Sequence, residues 1–154
     1  MRIKTWEELT KDEFFEIARL RCEVFFVEQR VDVQDFDEVD RAPGTEHVFI
    51  MDDDGAVAYL RAYPLAVEEE SATFSFGRVA VRPDRRGEGL AKRVVECVIA
   101  RHGHKPMAIH SQEYVCGLYR GFGFIEVGEA YEEASLPHQM MFRPADLFDS
   151  ARVQ

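Results

Sequence analysis

The segment 79–91 constrains the fold more than any other part of this sequence. An apolar run at 79–81 leads into a turn that contains Gly87 and Gly89, and from Leu90 onward apolar residues recur every three or four positions. A strand that enters a glycine turn and leaves it as an amphipathic helix is typical of mixed α/β folds. The glycines permit positive φ angles and close approach of a ligand, and the free N–H groups of a new helix favour an anion. The segment therefore predicts a strand-to-helix junction with an anion-binding turn.

The charge distribution points to the same turn. Nineteen Lys and Arg against 29 Asp and Glu give a net charge of −10, which argues against general nucleic-acid binding. Residues 1–70 carry a net −11 and residues 71–154 a net +1. Six basic residues nevertheless cluster in 78–93: Arg78, Arg82, Arg85, Arg86, Lys92 and Arg93. Such a cluster in an acidic chain indicates a local anionic ligand, with a solvated basic face as the alternative.

Length and composition indicate one globular domain over residues 1–154. Hydrophobic residues make up 46% of the chain, no apolar run is long enough to span a membrane, and charges interrupt the first thirty residues. The three cysteines, Cys22, Cys97 and Cys116, share no CxxC spacing. We therefore expect a reduced, cytoplasmic protein without a membrane span, a disulfide or a metal site.

Periodicity along the chain predicts one helix, three strands and then α-β-α-β-β. Thr10 and Glu13 have capping-box spacing and should begin the first helix. Its expected buried stripe is Phe14, Ile17, Ala18, Arg21 and Phe25, widened by Phe15, Cys22 and Phe26. An acidic loop follows at 32–46. Strands are predicted at 47–51, 56–60 and 73–81, a helix from Leu90 to Gly103, a strand at 107–109, a helix through Tyr119, and strands at 124–127 and 139–142.

The glycine turn does not fit the common nucleotide loops. A P-loop motif does not occur in the sequence, and Lys92 occupies the third position of a dinucleotide fingerprint, where a small residue is required. Arg86-x-x-Gly89-x-Ala91 instead resembles the pyrophosphate loop of the GNAT superfamily of N-acetyltransferases. Residues 117–124, Gly-Leu-Tyr-Arg-Gly-Phe-Gly-Phe, are similar to that superfamily's second signature.

A narrower resemblance is to the ElaA-like branch of this superfamily, and it extends from Arg21 to Phe142. Three motifs carry it: Arg21-x-x-Val24-Phe25-x-Val27-Glu28-Gln29, Gly77-Arg78-Val79 and Pro137-His138. Residues 132–136 depart from the pattern, which leaves the acceptor rim open. The resemblance implies an α/β fold with a mixed, mostly antiparallel central sheet flanked by helices on both faces.

The resemblance also implies a cofactor site for acetyl-CoA. Its pyrophosphate would bind the N–H groups of the turn, formed by Arg86, Gly87, Glu88, Gly89, Leu90, Ala91 and Lys92. The pantetheine arm would pair with Val79, Ala80 and Val81 like an added strand. The Val79 N–H would hold the developing oxyanion, and Tyr119 would protonate the departing thiolate.

Several roles stay open at this point. The general base could be Glu28, Glu113, His47 or His138. Cys116, three residues before Tyr119, permits a covalent acyl-cysteine route helped by His110. Arg78, a charge within an apolar strand, must pair with a carboxylate such as Glu28 or Glu113, or bind an acidic acceptor group.

The resemblance thus implies an N-acetyltransferase that moves the acetyl group of acetyl-CoA directly to a primary amine in a ternary complex. The acidic loop, with Asp35, Asp37, Glu38 and Asp40, favours a cationic acceptor. The alternatives are a non-catalytic acyl-CoA sensor on the same fold and a thiol hydrolase built on Cys116 and His110. Nucleic acid and membrane are not expected as partners, and a homodimer is left open.

Overall fold

A computed structural model describes residues 1–147 as one seven-stranded sheet with helices on both faces. The strands are β1 (Arg2–Lys4), β2 (Glu46–Asp52), β3 (Gly55–Glu69), β4 (Ala72–Val81), β5 (Met107–Gln112), β6 (Ile125–Glu133) and β7 (Leu136–Arg143). They lie in the order β1-β2-β3-β4-β5-β7-β6, and every neighbouring pair is antiparallel except β4 and β5. The predicted mixed, mostly antiparallel sheet is confirmed, whereas β1, a three-residue edge strand, was not predicted. Residues 148–154 of the predicted domain lie outside the described part.

The first helix begins at its predicted cap. Helix α1 spans Lys11–Arg21; the Glu13 N–H donates to Thr10 Oγ1, and the Thr10 N–H donates to the Glu13 carboxylate, each at 3.0 Å. From Cys22 to Glu28 the chain continues as a π-helical segment. The predicted widening of the buried stripe is wrong, because Phe15 and Phe26 are 60% and 59% exposed and Cys22 is also exposed.

The second helix follows the glycine turn as predicted. Helix α2 spans Leu90–His102, with Gly89 at its N-cap and Gly103 at its C-cap. Its buried face consists of Leu90, Val94, Val95 and Val98. A short helix, α3 (Cys116–Arg120), follows β5 and places Cys116 and Tyr119 against the sheet.

Two apolar cores form on opposite faces of the sheet. Successive side chains of a strand point to opposite faces, so Val48 and Phe49 of β2 belong to different cores. Helices α2 and α3 cover the face that contains Val48, and α1 covers the face that contains Phe49 and Tyr59. Burial on both faces explains why the central strands read as nearly continuous apolar runs.

The sheet opens between its two central strands. β4 and β5 run parallel and pair through Phe74 and Met107, near the start of each strand. β5 then pairs with β7 on its other side as far as Gln112, and β4 pairs with β3 as far as Val81. The facing edges of β4 and β5 therefore diverge beyond the Phe74–Met107 pair. The opening between them positions the site.

Candidate active site

A cavity of about 910 Å³ occupies the opening between β4 and β5. Tyr119 and nine of the ten predicted cofactor-binding residues line it: Val79, Ala80, Val81, Arg86, Gly87, Gly89, Leu90, Ala91 and Lys92. Glu88 is the exception, and its carboxylate accepts a hydrogen bond of 2.7 Å from Arg85 Nε. The structure thus brings the strand, the turn and the tyrosine to one cavity, although the sequence separates them by up to forty residues.

The glycines of the turn are required by its backbone. Gly87 and Gly89 have φ angles of +83° and +74°, and a Cβ placed on either would meet no atom within 4 Å. The left-handed conformation, and not crowding, therefore selects glycine here. The empty space in front of the turn, together with the N–H groups of the first turn of α2, which have no acceptor within the helix, fits a phosphate group.

The arginines beside the turn are paired with carboxylates of the protein. Arg85 donates to Asp52 and Glu88, and Arg82 donates to Asp52. Arg86 forms a bidentate ion pair with Glu28, with Nη1 2.7 Å from Oε2 and Nη2 2.6 Å from Oε1. The predicted attraction of the basic cluster for an anion is therefore partly neutralised. The backbone N–H groups are the groups best placed to hold one, with Lys92, whose Nζ lies 4.0 Å from the exposed Glu96 carboxylate, beside them.

A β-bulge interrupts β4 where the oxyanion donor was predicted. Tyr59 pairs with Ala80 and Arg61 pairs with Gly77, so Arg78 and Val79 together face the single residue Leu60. Arg78 has a φ angle of +54°. Val79 consequently has no partner residue of its own in the β3–β4 register, on a strand that lines the cavity.

The partner of Arg78 corrects one prediction. Its guanidinium binds Asp35, with Nε 2.9 Å from Oδ1 and Nη2 3.0 Å from the backbone oxygen, and not Glu28 or Glu113. Asp35 also accepts hydrogen bonds from Arg21, so one carboxylate joins α1 to the bulge of β4. The sequence separates Asp35 from Arg78 by 43 residues and contains no signal for this pair.

Tyr119 lies against two phenylalanine rings. The centroids of Phe76 and Phe124 are 5.7 and 6.2 Å from that of Tyr119, both in edge orientations. Burial raises the pKa of the Tyr119 phenol, which therefore keeps its proton at neutral pH. Tyr119 lines the cavity in the protonated form that a proton donor requires, although its raised pKa makes the phenol a weaker acid than a free tyrosine.

The predicted bases occupy different environments. Glu28 and Glu113 line a second recess of about 510 Å³ that shares Gln29, Arg86, Gln112, Tyr114 and Leu136 with the main cavity. Hydrogen bonds from Arg86 lower the pKa of Glu28, which makes its carboxylate a weaker proton acceptor. His47 lies in the core, with Nδ1 2.7 Å from the Tyr59 hydroxyl and Nε2 2.8 Å from the Asp40 backbone oxygen, and burial lowers its pKa.

His138 differs from the other candidates because it lines the main cavity. It lies on β7 and is 8% exposed. Its Nδ1 is 2.8 Å from the backbone oxygen of Leu136, and its Nε2 is 3.6 Å from Glu133 Oε2. The Ala134-Ser135 turn between β6 and β7, where both residues have positive φ, belongs to the segment that departs from the family pattern.

Cys116 and His110 do not form a catalytic pair in this structure. The Cys116 thiol contacts the backbone oxygen of Gln112 at 3.8 Å. His110 places Nδ1 2.5 Å from the Tyr131 hydroxyl and Nε2 2.7 Å from Glu69. Both ring nitrogens are thus engaged elsewhere, which argues against the acyl-cysteine and hydrolase alternatives.

The acidic loop is held by arginines. Asp35, Asp37 and Asp40 form ion pairs with Arg21, Arg61 and Arg78, and the Arg21 side chain is fully buried. Burial alone would raise the pKa of Asp40, but the hydrogen bonds and charge of Arg21 hold it below its usual value. These three carboxylates are compensated inside the protein, so the loop's net charge no longer supports the prediction of a cationic acceptor.

The described part of the chain contains neither a metal-binding cluster nor a membrane-spanning helix. Across residues 1–147, no group of three or more His, Cys, Asp and Glu side chains is arranged to hold a metal ion. In the same part of the chain, no helix combines the length and the apolar character needed to cross a bilayer.

Comparison with known proteins places this geometry among acyltransferases. The acetyltransferase (GNAT) domain model matches residues 8–143. The chain is 33% identical to protein ElaA of Escherichia coli over 140 residues, which cover 88% of this chain and 90% of that protein. The crystal structures of Escherichia coli ElaA and of an acyl-CoA N-acyltransferase from Pseudomonas aeruginosa each match with a TM-score of 0.80 and 31% identity, over 92% of this chain and 97% of theirs. An aminoglycoside 6′-N-acetyltransferase complexed with coenzyme A shares the fold, with a TM-score of 0.69 and 15% identity over 97% of this chain and all of that one.

Proposed function

The chain belongs to the GNAT acetyltransferase family, and on that premise we propose that it transfers an acetyl group from acetyl-CoA to a primary amine by direct attack in a ternary complex. The observation that carries the proposal is the cavity between β4 and β5. A glycine turn with open space in front of it forms one end, and the bulged strand and Tyr119 form its walls. A protein of the same fold holds coenzyme A, which supports the choice of donor.

Each part of the cavity has a task in this proposal. The N–H groups of the turn and of the first turn of α2 bind the pyrophosphate, with Lys92 beside them. The open edge of β4 at 79–81 offers backbone groups to the amides of the pantetheine arm. The Val81 backbone oxygen on this strand accepts hydrogen bonds from Arg86, at 3.2 Å from both Nε and Nη2. If the pantetheine arm donates a hydrogen bond to the Val81 oxygen, the Arg86 side chain must therefore move away from it.

Two groups act on the reacting atoms. The Val79 N–H, at the bulge of β4, stabilises the negative charge that develops on the acyl oxygen. Tyr119 gives its proton to the departing sulfur, and its buried phenol stays protonated until that moment. Bound acetyl-CoA supplies the acyl carbon for attack by the amine nitrogen. No cysteine nucleophile is required.

The test is turnover with a panel of amines. We expect amine-dependent release of free thiol from acetyl-CoA and acetylation of the amine, detected by mass spectrometry. The panel includes cationic, neutral and acidic amines, because the acidic loop no longer favours one class of acceptor. Assays with longer acyl-CoA donors measure the preference for the acetyl group. Tight CoA binding without turnover of any amine would contradict the proposal and favour the sensor. The cytoplasmic location and a homodimer stay predictions.

A further inference from the structure

Three side chains from the two strands beside β7 surround His138 at one wall of the cavity. Tyr131 and Glu133 come from β6, and Gln112 faces His138 across the β5–β7 ladder. Beyond Tyr131 lies His110, which is paired with Glu69 at the end of β3. The titratable groups that face His138 are thus Glu133 and Tyr131, with the His110–Glu69 pair behind them.

The hydrogen bond from His138 to the backbone fixes its tautomer. A carbonyl oxygen can only accept, so Nδ1, at 2.8 Å from the Leu136 oxygen, carries the proton. Nε2 of the neutral ring therefore has a free lone pair. The ring is also held in place, because it stacks on Tyr131 with centroids 5.9 Å apart and planes 29° from parallel. Tyr131 is itself fixed by its hydrogen bond to His110.

The surroundings of Nε2 suit a group that gains a positive charge. Glu133 Oε2 lies 3.6 Å away, so a protonated ring would face a carboxylate. The imidazole is mostly removed from solvent and lines the same cavity as Val79 and Tyr119. Glu28, in contrast, is already paired with Arg86.

From this geometry we propose that His138 is the catalytic base of the transfer, with Glu133 as its positioning residue. The inference rests on the proposed function and adds the route of the proton. An ammonium acceptor loses two of its three N–H protons when it becomes an amide. His138 Nε2 takes the first, which frees the nitrogen lone pair to form the C–N bond, and later releases this proton to solvent.

The second N–H proton of the acceptor accounts for the proton that the departing sulfur receives. As the C–S bond breaks, its electron pair stays on sulfur, which takes the proton of Tyr119. The second nitrogen proton replaces the one that Tyr119 has given. One proton per turnover is thus released, by way of His138 and with Glu133 stabilising the imidazolium.

The experiment is a pH profile of kcat/KM for His138→Asn with an amine that the wild type acetylates. Asparagine retains an N–H donor for the Leu136 oxygen but has no titratable nitrogen. We expect kcat/KM to fall by about 10²–10⁴-fold near neutral pH, with CoA affinity within twofold of wild type. The rate of the variant should keep rising with pH where the wild-type rate has reached its plateau, since free amine then forms without help.

Glu133→Gln provides a second readout at an exposed position. Loss of the carboxylate makes the imidazolium less stable, so the acid limb of the profile should move to lower pH. A merely structural role of Glu133 would leave that limb in place. The matched control is His104→Asn, which lies in an exposed loop outside the cavity and should leave kcat/KM unchanged.

The outcomes separate the two proposals. Absence of amine acetylation by the wild type would overturn the proposed function and this inference with it. A second outcome would overturn only the assignment of His138 and leave the proposed function standing. In it, the wild type acetylates the amine, kcat/KM of His138→Asn is within threefold of the wild-type value, and the acid limb of Glu133→Gln does not move. If His138→Asn fails to fold, the acid limb of the Glu133→Gln pH profile decides whether His138 is the base.

Discussion

Replacing Asp40 by asparagine should destabilise the protein by about 3 kcal/mol. The Asp40 side chain is 5% exposed and binds two arginines, with Oδ1 2.6 Å from Arg21 and Oδ2 2.9 Å from Arg61. Removing one partner of a buried ion pair costs about 3–5 kcal/mol, because the remaining charge is left uncompensated. Arg21 retains Asp35 and Arg61 retains Asp37, which places the expected loss at the lower end.

Urea unfolding at pH 7 measures this loss of unfolding free energy, and thermal melting gives a second measurement. For a chain of this length, a change of 1 kcal/mol moves the melting temperature by about 2–4 °C, so Asp40→Asn should melt about 6–12 °C below wild type. Asp53→Asn is the control: Asp53 is exposed in the β2–β3 turn, and its replacement should change stability by less than about 0.5 kcal/mol.

The contribution of Asp40 to the free energy of unfolding should depend on pH. The pKa of Asp40 is lowered in the folded protein, so its contribution is complete above the unfolded carboxyl pKa near 4 and is lost as pH falls below it. The difference between wild type and Asp40→Asn should therefore shrink in acid. A loss below about 1 kcal/mol at pH 7, or one that does not vary with pH, would refute the view that these carboxylates serve the fold. A raised KM for the amine in a stable variant would restore their proposed steering role.

Three further predictions concern the turn, the acid and the first helix. Gly89→Val should weaken CoA binding at least tenfold by calorimetry, whereas Gly128→Val, at the same φ of +74° and with equally open space, should share its strain and leave affinity unchanged. Tyr119→Phe keeps the ring and should lower kcat by about 10²–10⁴-fold with little change in CoA affinity; an unaltered rate would show that the sulfur leaves unassisted. Although burial opposes it, hydrogen bonds from Lys4, Thr10 and Arg2 lower the pKa of Glu13 to about 2, so wild-type stability should fall as pH drops from about 4.5 to 2, and Glu13→Gln should flatten that fall in urea titrations.

Local signals in the sequence predicted the parts of the fold that local interactions determine. The capping box at Thr10, the helix start at Leu90 after the glycine turn and the helix end at Gly103 are each predicted from a few neighbouring residues, and each is confirmed. The buried stripe of the first helix was extended too far. From Cys22 the backbone changes to π-helical turns, which hold more residues per turn, so a stripe drawn with period 3.6 has drifted away from the core at Phe26. Phe15 lies within the regular helix α1, and its exposure shows that the buried stripe there is narrower than predicted.

Long-range pairing is the part that the sequence did not yield. Arg78 could be recognised as a charge in need of a partner, but the choice of Asp35 depends on how the loop 32–41 crosses β4. For the same reason the acidic run looked like free charge, although Arg21 and Arg61 neutralise it. The positions of Tyr119 and of nine predicted cofactor-binding residues, Val79 among them, around one cavity follow from the divergence of β4 and β5, which no periodicity encodes.

The single Phe74–Met107 pair has a consequence for folding. It divides the sheet into a group formed by β1–β4 and a group formed by β5, β6 and β7, each antiparallel within itself. The β2–β3, β3–β4 and β6–β7 hairpins close over short stretches of chain, whereas joining the two groups requires α2 to cross between them. Low contact order within each group and one costly junction favour two cooperative folding units. The cavity then lies at the boundary between these two units, beside the single strand pair that joins them.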